Sequence, residues 1–314
     1  MCRVLLTDNI AVEALAVFEP HDDVEAVRTE TLPPDKLKEE IAGYDAIVVR
    51  SPTKLTADVI AAANKLRYIG RAGVGVDNID INAATERGIV VMNSPGGNTV
   101  STAEHTIAVI LALARHIPQA HNSVTGGEWN RKAYRGNELS GKTLGIVGLG
   151  RVGREVARRM RAFEMRVLAV DPYVSGMAAA KSGAELVELD ALLQQADVIT
   201  VHVPLTDETR GLIGRQEIDR MRDGAFLVNC ARGGVVVEDT LLAALESGKL
   251  AGVALDVYQS EPPGDHPLFG HPRCVFTPHL GAATVEAQVR VAVEAAECVA
   301  EALLTGVTRN AVNK

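Results

Sequence analysis

The stretch Gly148-Leu149-Gly150-Arg151-Val152-Gly153 constrains the fold of this chain more than any other. It follows the β-branched run Thr143–Val147 and leads into a helical pattern near Val156–Met160. In that strand–turn–helix setting each glycine has a task. Gly148 permits the tight turn, Gly150 lets a pyrophosphate approach the backbone, and Gly153 lets helix and strand pack closely. The helix N-terminus, Arg151 and Val152 included, offers N–H groups and positive partial charge to phosphates. Asp171 stands 18 residues after Gly153, at the end of the next run Arg166–Val170. A carboxylate there suits both hydroxyls of an adenosine ribose and repels a 2′-phosphate. The pattern predicts a dinucleotide site that favours NAD over NADP. Read without a ligand, the same residues are a glycine turn and a surface aspartate.

The rest of the chain repeats the strand–helix rhythm, which means parallel βαβ units. Val4–Thr7, Ala46–Val49, Tyr68–Ile69 and Ile89–Met92 are strand-like, with helical patterns near Val12–Phe18 and Asp58–Asn64. The turn-rich Asn93-Ser94-Pro95-Gly96-Gly97-Asn98 marks a junction. Beyond it, Ser101 precedes Glu104 at capping-box spacing, and an apolar helix follows to about His116, with Pro118 helping to end it. A second series has strands at Thr143–Val147, Arg166–Val170, Asp197–Val201, Ala225–Val228, Val253–Asp256 and Cys274–Thr277. The last segment is amphipathic, with apolar residues at Val285, Val289, Ala292, Ala296, Val299 and Leu303. It has no further strand to feed, so it is free to return to the first domain. The reading is an α/β chain of two open parallel sheets, with the cleft between them as the default ligand site.

Composition removes several functions. Lys and Arg number 32 against 40 acidic residues, a net charge of −8, which is a poor footing for a phosphate backbone, so no nucleic-acid partner is expected. The longest apolar runs, such as Ile107 to Ala114, fall short of the roughly 20 residues a bilayer needs, and Asp8 interrupts the N-terminal apolar stretch, so neither a membrane partner nor a signal peptide is expected. Cys2, Cys230, Cys274 and Cys298 have no CxxC spacing, which suggests a reduced, cytoplasmic protein. The eight histidines include no HExxH and no close cysteine pairing, so no metal is expected. His105 and His202 read as packing or backbone-contact residues.

A nicotinamide cofactor needs a substrate anchor and a proton carrier. Arg232 follows the strand Ala225–Val228 in Asn229-Cys230-Ala231-Arg232-Gly233-Gly234, at the carboxyl end where open α/β sheets bind ligands. Its planar fork suits a carboxylate. His279 follows Cys274–Thr277, and Glu261 lies in Glu261-Pro262-Pro263 after the preceding strand, so adjacent strand ends bring the two within reach of each other. A carboxylate beside an imidazole fixes its tautomer and favours its protonated form. By position alone the three are equally an arginine, a histidine and a glutamate of surface loops. Cys230 lacks a neighbouring histidine and reads as a small side chain against a cofactor rather than a nucleophile.

Taken together, Gly148–Gly153 with Asp171, Asn229–Gly234, Ala254-Leu255-Asp256-Val257 with Glu261-Pro262-Pro263, and Pro278-His279-Leu280-Gly281 resemble the D-isomer-specific 2-hydroxyacid dehydrogenases in order and spacing over essentially the whole chain. The resemblance implies a Rossmann nucleotide-binding domain at 99–280 and a flavodoxin-like, discontinuous substrate-binding domain at 1–98 and 281–314. It also implies NAD as cofactor, a homodimer formed through the nucleotide-binding domains, and a catalytic set of Arg232, Glu261 and His279. In such enzymes Arg232 would hold the substrate carboxylate, His279 would carry the proton and Glu261 would pair with it. Val203, Cys230, Ala231, Arg232, Asp256, His279 and Gly281 would join the glycine motif around the cofactor.

Within the family, Arg50-Ser51-Pro52-Thr53-Lys54, Gly70-Arg71-Ala72-Gly73, Asn98-Thr99-Val100-Ser101, Trp129-Asn130-Arg131-Lys132 and Gly141–Gly145 look like segments of members acting on a phosphorylated substrate. That likeness implies oxidation of D-3-phosphoglycerate to 3-phosphohydroxypyruvate, with Arg50, Arg71 and Arg131 facing the phosphate. Ser51, Gly73, Val74, Gly75 and Asn98 would complete the substrate site. Each arginine reads equally as a surface residue. A small 2-keto acid such as hydroxypyruvate or glyoxylate is the alternative substrate, and a corepressor-like NAD sensor is the alternative without turnover. Val74 and Val203 stand where relatives often carry Thr. Many relatives continue into serine-binding regulatory domains; this chain stops at Lys314, so serine feedback is not expected of it.

Overall fold

The computed structural model describes residues 1–313 and divides the chain into two compact units, Met1–Asn98 with Ala282–Lys314, and Thr99–Gly281. The first unit contains β1 (Cys2–Leu6), α1 (Glu13–Ala16), β2 (Val24–Arg28), α2 (Pro34–Ile41), β3 (Ala46–Val49), α3 (Ala57–Ala62), β4 (Tyr68–Arg71), α4 (Ile81–Glu86) and β5 (Val90–Asn93). Its strands form one parallel sheet in the order β2-β1-β3-β4-β5. This is the flavodoxin-like order, and it reverses between β1 and β3.

Alternation along these strands feeds two cores. Val4, Leu6 and Val48 pack with Phe18, Ala292, Ala296 and Val299 on one face, while Leu5, Ile47, Val49 and Ile69 pack with Leu37, Ile41 and Ile60 on the other. The C-terminal helix, Val285–Thr305, therefore covers one face of the sheet. Thr284 caps it by accepting the Ala287 N–H at 3.2 Å.

The second unit holds α5 (Thr99–Ala114), α6 (Ile117–Thr125), β6 (Thr143–Val147), α7 (Arg151–Met160), β7 (Arg166–Val170), α8 (Gly176–Ser182), β8 (Glu185–Leu186), α9 (Leu189–Gln195), β9 (Val198–Val201), α10 (Arg215–Arg220), β10 (Ala225–Asn229), α11 (Leu241–Glu246), β11 (Leu250–Leu255) and β12 (Cys274–Phe276). Its parallel sheet runs β12-β11-β10-β9-β6-β7-β8, a doubly wound order that reverses between β6 and β9. Ile146 and Val228 face the core under α5 and α7, and Val147, Ile199 and Leu227 face the one under α9 to α11.

Three sequence expectations change. The capping box at Ser101 is absent, because α5 already begins at Thr99 and the Ser101 hydroxyl instead donates to the Gly281 carbonyl at 2.9 Å. Pro118 does not end α5. The break comes at His116, whose φ is +54°, and Pro118 sits in the first turn of α6, where its missing N–H costs nothing. The strand Val24–Arg28 was not expected, since this edge strand alternates only between half-buried and exposed positions. Among the described residues no helix is long and apolar enough to cross a membrane.

Candidate active site

In the second unit the glycine turn sits where the strand order reverses. Gly148 has φ +98°, and a Cβ there would meet the His202 carbonyl at 2.9 Å, so only glycine fits between β6 and the end of β9. A Cβ on Gly153 would lie 2.2 Å from the Gly148 carbonyl oxygen, whereas one on Gly150 would meet nothing within 4 Å. Gly150 thus faces open space at the start of α7, whose first turn has no side-chain cap. Asp171, after β7, accepts the Leu149 N–H at 2.8 Å and the Tyr173 N–H at 2.9 Å. These two bonds fix the carboxylate beside the turn and leave it acceptor capacity for hydroxyl groups. The turn and Asp171 therefore fit a dinucleotide. Neighbouring His202 is held neutral: burial lowers its pKa to about 4.

Glu261 and His279 come together after β11 and β12. His279 Nδ1 and Glu261 Oε2 are 2.7 Å apart, with the two side chains 46% and 38% exposed. With Nδ1 engaged, Nε2 is the ring nitrogen left for a substrate oxygen. Burial alone would raise the Glu261 carboxyl. The hydrogen bond and charge of His279, the Tyr258 N–H at 3.2 Å and the Arg232 charge together hold it below the ordinary carboxylate value. The Arg232 segment is folded tightly: Asn229 Nδ2 donates to the Arg232 carbonyl at 2.9 Å, and Ala231 N–H donates to Asn229 Oδ1 at 3.0 Å. A Cβ on Gly233 would lie 1.7 Å from the Tyr258 carbonyl oxygen, so the segments carrying Arg232 and Glu261 run backbone against backbone.

The His279 backbone has φ +54°, a conformation that costs a non-glycine residue energy and needs support from its surroundings. Asp256, 1% exposed, supplies that support. Its carbonyl accepts the His279 N–H at 2.8 Å, while its carboxylate accepts from Leu280 N (2.7 Å), Gly281 N (2.9 Å), Thr277 Oγ1 (2.6 Å) and His105 Nε2 (3.1 Å). Burial raises this carboxyl, but the bonds outweigh it and hold the group ionised. Sequence reasoning placed Asp256 against the cofactor and His105 in packing, and missed that both lie beneath the His279 backbone. No local signal links Leu280 to a residue more than 20 positions earlier.

His105, Cys230 and Asp256 offer donor atoms within 4.8 Å of one another, a grouping that could hold a metal ion. The donor chemistry favours a hydrogen-bond network instead, since the Asp256 oxygens are already engaged. Burial and the Asp256 charge push the Cys230 thiol far up, so it remains protonated and a weak ligand or nucleophile.

The first unit gathers its candidate residues after β1, β3, β4 and β5. Asp8, 6% exposed and at φ +64°, accepts the Arg50 backbone N–H at 2.7 Å and the hydroxyls of Thr31 and Thr53 at 2.8 and 2.7 Å. Asn78 Nδ2 donates to the Arg50 and Thr53 carbonyls at 2.9 and 2.8 Å. Arg71 Nη2 reaches Ser51 Oγ at 2.7 Å, and its guanidinium lies across Gly73, where a Cβ would be 1.5 Å from Nη1. Gly73 has φ +144° and its carbonyl accepts from Ser94 N. The Val74 carbonyl, next to Gly75, accepts from Asn93 Nδ2 at 2.6 Å. The enclosed Oδ1 of Asn98 has no hydrogen-bond partner. Arg131 lies exposed in the second unit, on the segment after α6. Asp8 and Asn78 escaped the sequence reading, because an aspartate and an asparagine in turns look alike whether or not they hold a loop.

The sequence profile of the D-isomer specific 2-hydroxyacid dehydrogenase NAD binding domain matches residues 107–281. The chain is 53% identical over 312 residues to a D-3-phosphoglycerate dehydrogenase of Archaeoglobus fulgidus, covering 99% of this chain and 59% of that one. It therefore spans about three-fifths of the length of this curated relative. A crystal structure of a protein from Thermus thermophilus superposes with a TM-score of 0.89 at 35% identity, covering 99% of each chain. A glyoxylate reductase from Paecilomyes thermophila does so with a TM-score of 0.89 at 32% identity, covering 99% of this chain and 98% of that one. The glycine turn, the strand orders and these matches agree: the chain belongs to the D-isomer specific 2-hydroxyacid dehydrogenase family.

Proposed function

We propose that this chain oxidises D-3-phosphoglycerate to 3-phosphohydroxypyruvate with NAD, the first step of L-serine synthesis. The observation that carries the chemistry is the 2.7 Å contact between His279 Nδ1 and Glu261 Oε2, on a segment packed against that of Arg232. The identity of the substrate is supported by the 53% identical relative of that name and by the loop in which Arg50, Ser51 and Arg71 meet.

Bound NAD supplies the hydride acceptor. Gly150, Arg151, Val152 and Gly153, at the uncapped start of α7, would offer it backbone N–H groups, Gly148, whose own N–H is donated to the Val170 carbonyl, would give the turn room for the pyrophosphate, and Asp171 would take its ribose hydroxyls. Arg232 holds the substrate carboxylate through its planar fork. His279 Nε2 accepts the hydroxyl proton as the hydrogen on C2 departs, and Glu261 steadies the resulting imidazolium through Nδ1. In the reverse direction, Arg232 and protonated His279 stabilise the developing oxyanion. Arg50 and Arg71 carry the phosphate, Arg131 adds charge, and Asn98 completes the substrate site with Ser51, Gly73, Val74 and Gly75.

We also assign the chain to the cytoplasm, which the buried thiols Cys230, Cys274 and Cys298 favour, and to a homodimer. The apolar surface of α5 is spent in its own core, while Ile117, Val124 and Trp129 are 55%, 54% and 80% exposed and suit a second copy. A second reading keeps the chemistry and takes glyoxylate or hydroxypyruvate instead, favoured by the likeness to the glyoxylate reductase. Initial rates decide between the two. NADH formation from D-3-phosphoglycerate well above that from D-glycerate supports the first reading, and turnover of the small keto acids alone selects the second.

A further inference from the structure

We propose that Glu238 and His266 form a buried clip that positions Glu261, and through it the His279 ring. This inference rests on the reading of Glu261 and His279 given above.

His266 Nε2 and Glu238 Oε2 are 2.9 Å apart, with the two side chains only 6% and 9% exposed. His266 Nδ1 accepts the Leu268 N–H at 3.3 Å, which puts the ring proton on Nε2 and makes the neutral imidazole a donor to Glu238. The other Glu238 oxygen, Oε1, accepts the Gln259 N–H at 2.6 Å, two residues before Glu261. The adjacent Tyr258 N–H donates to Glu261 Oε1, and Glu261 Oε2 meets His279. A continuous line of hydrogen bonds and one short stretch of backbone thus runs from Leu268 to the proton carrier.

Packing reinforces the line. The His266 ring lies edge-on to Tyr258 at 6.0 Å and tilted against Phe269 and Phe276 at 5.2 and 6.3 Å. The Tyr258 hydroxyl donates to the Thr277 carbonyl at 3.0 Å, two residues before His279. Glu238 itself follows the Arg232–Gly234 segment, so its carboxylate fastens that segment to the one bearing Glu261. Burying a carboxylate is costly unless its oxygens are well bonded. Here one oxygen holds the Glu261 segment and the other holds the histidine that keeps the carboxylate in place.

The test compares Glu238→Gln, His266→Phe, His266→Gln, Glu261→Gln and the double variant Glu261→Gln/His266→Phe as full chains, by kcat and KM for NAD and for D-3-phosphoglycerate. His266→Phe keeps an aromatic ring among Tyr258, Phe269 and Phe276 and removes the donor. Glu238→Gln keeps an acceptor for Gln259 but turns an N–H toward His266, so it probes the same contact if His266→Phe fails to fold. Both lower kcat by about tenfold or more, the scale on which misplaced groups cost rate, and leave the KM for NAD within about twofold. His266→Gln recovers most of the rate, because its amide donates to Glu238. In the Glu261→Gln background, His266→Phe has no further effect. Wild-type kcat in folded Glu238→Gln and His266→Phe, with Glu261→Gln impaired, overturns the clip and spares the role of Glu261. An equal loss with and without Glu261 also overturns it. Wild-type kcat in Glu261→Gln overturns the reading of Glu261, and the clip with it.

Discussion

Asp8 Oδ2 accepts the Arg50 backbone N–H at 2.7 Å, joining the ends of β1 and β3 where the strand order of the first sheet reverses. Open α/β sheets bind ligands in that place. If Arg50 and Arg71 carry the phosphate, each contributes a charge-assisted bond worth about 1.5–3 kcal/mol. Arg50→Gln and Arg71→Gln then raise the KM for D-3-phosphoglycerate roughly 10- to 150-fold and leave the Kd for NAD alone. Steady-state kinetics beside NAD titration checks this, and an unchanged KM in both variants removes the phosphate role.

Asp8→Ala acts differently, because it strips a buried acceptor from the Arg50 N–H and from the Thr31 and Thr53 hydroxyls. A loss of about 2–4 kcal/mol in denaturant unfolding is expected, together with a raised substrate KM. Stability within about 0.5 kcal/mol of wild type contradicts this account of the loop.

Gly150 and Gly153 separate cofactor binding from folding. A Cβ on Gly153 strikes the Gly148 carbonyl oxygen at 2.2 Å, so Gly153→Ala destabilises the chain by about 1–3 kcal/mol. A Cβ on Gly150 meets no protein atom, so Gly150→Ala keeps the melting temperature and weakens NAD about tenfold or more by occupying the space of the pyrophosphate. Thermal melts beside NAD titrations distinguish the pair, and equal effects on both properties in both variants contradict the reading.

Burial holds the pKa of His202 at about 4, below the 6.5 of an exposed ring. Between those values the unfolded chain binds the proton and the folded chain does not, so the folded state loses stability as pH falls from about 6.5 through about 4. The loss reaches roughly 3 kcal/mol at the acid end. His202→Gln flattens that limb of a denaturation series measured against pH, and an unchanged slope in the variant assigns the acid loss to other groups.

The strands around the glycine turn were legible because apolar runs buried on both faces, such as Thr143–Val147 and Ala225–Val228, leave a strong local pattern. The edge strand Val24–Arg28 left little, since its side chains stay half solvated. Pro118 misled because a proline after a helix and a proline opening the next one look alike until the left-handed His116 is seen. Arg232, Glu261 and His279 were each visible as polar residues after strands, but the loop geometry behind them was not. Asp256 reaches Leu280 and Gly281, and Glu238 reaches Gln259, across more than 20 residues of chain. Such long-range bonds to backbone N–H groups have no periodicity to reveal them.

The most direct test of the proton carrier is turnover and NAD binding measured on one preparation of His279→Gln. Glutamine keeps polar contact near Glu261 but cannot take the substrate proton. NADH formation from D-3-phosphoglycerate should fall by about 10²–10⁴-fold, the usual worth of a general base, with the Kd for NAD within about threefold of wild type. Turnover close to wild type in a folded, NAD-binding variant would contradict the assignment of His279.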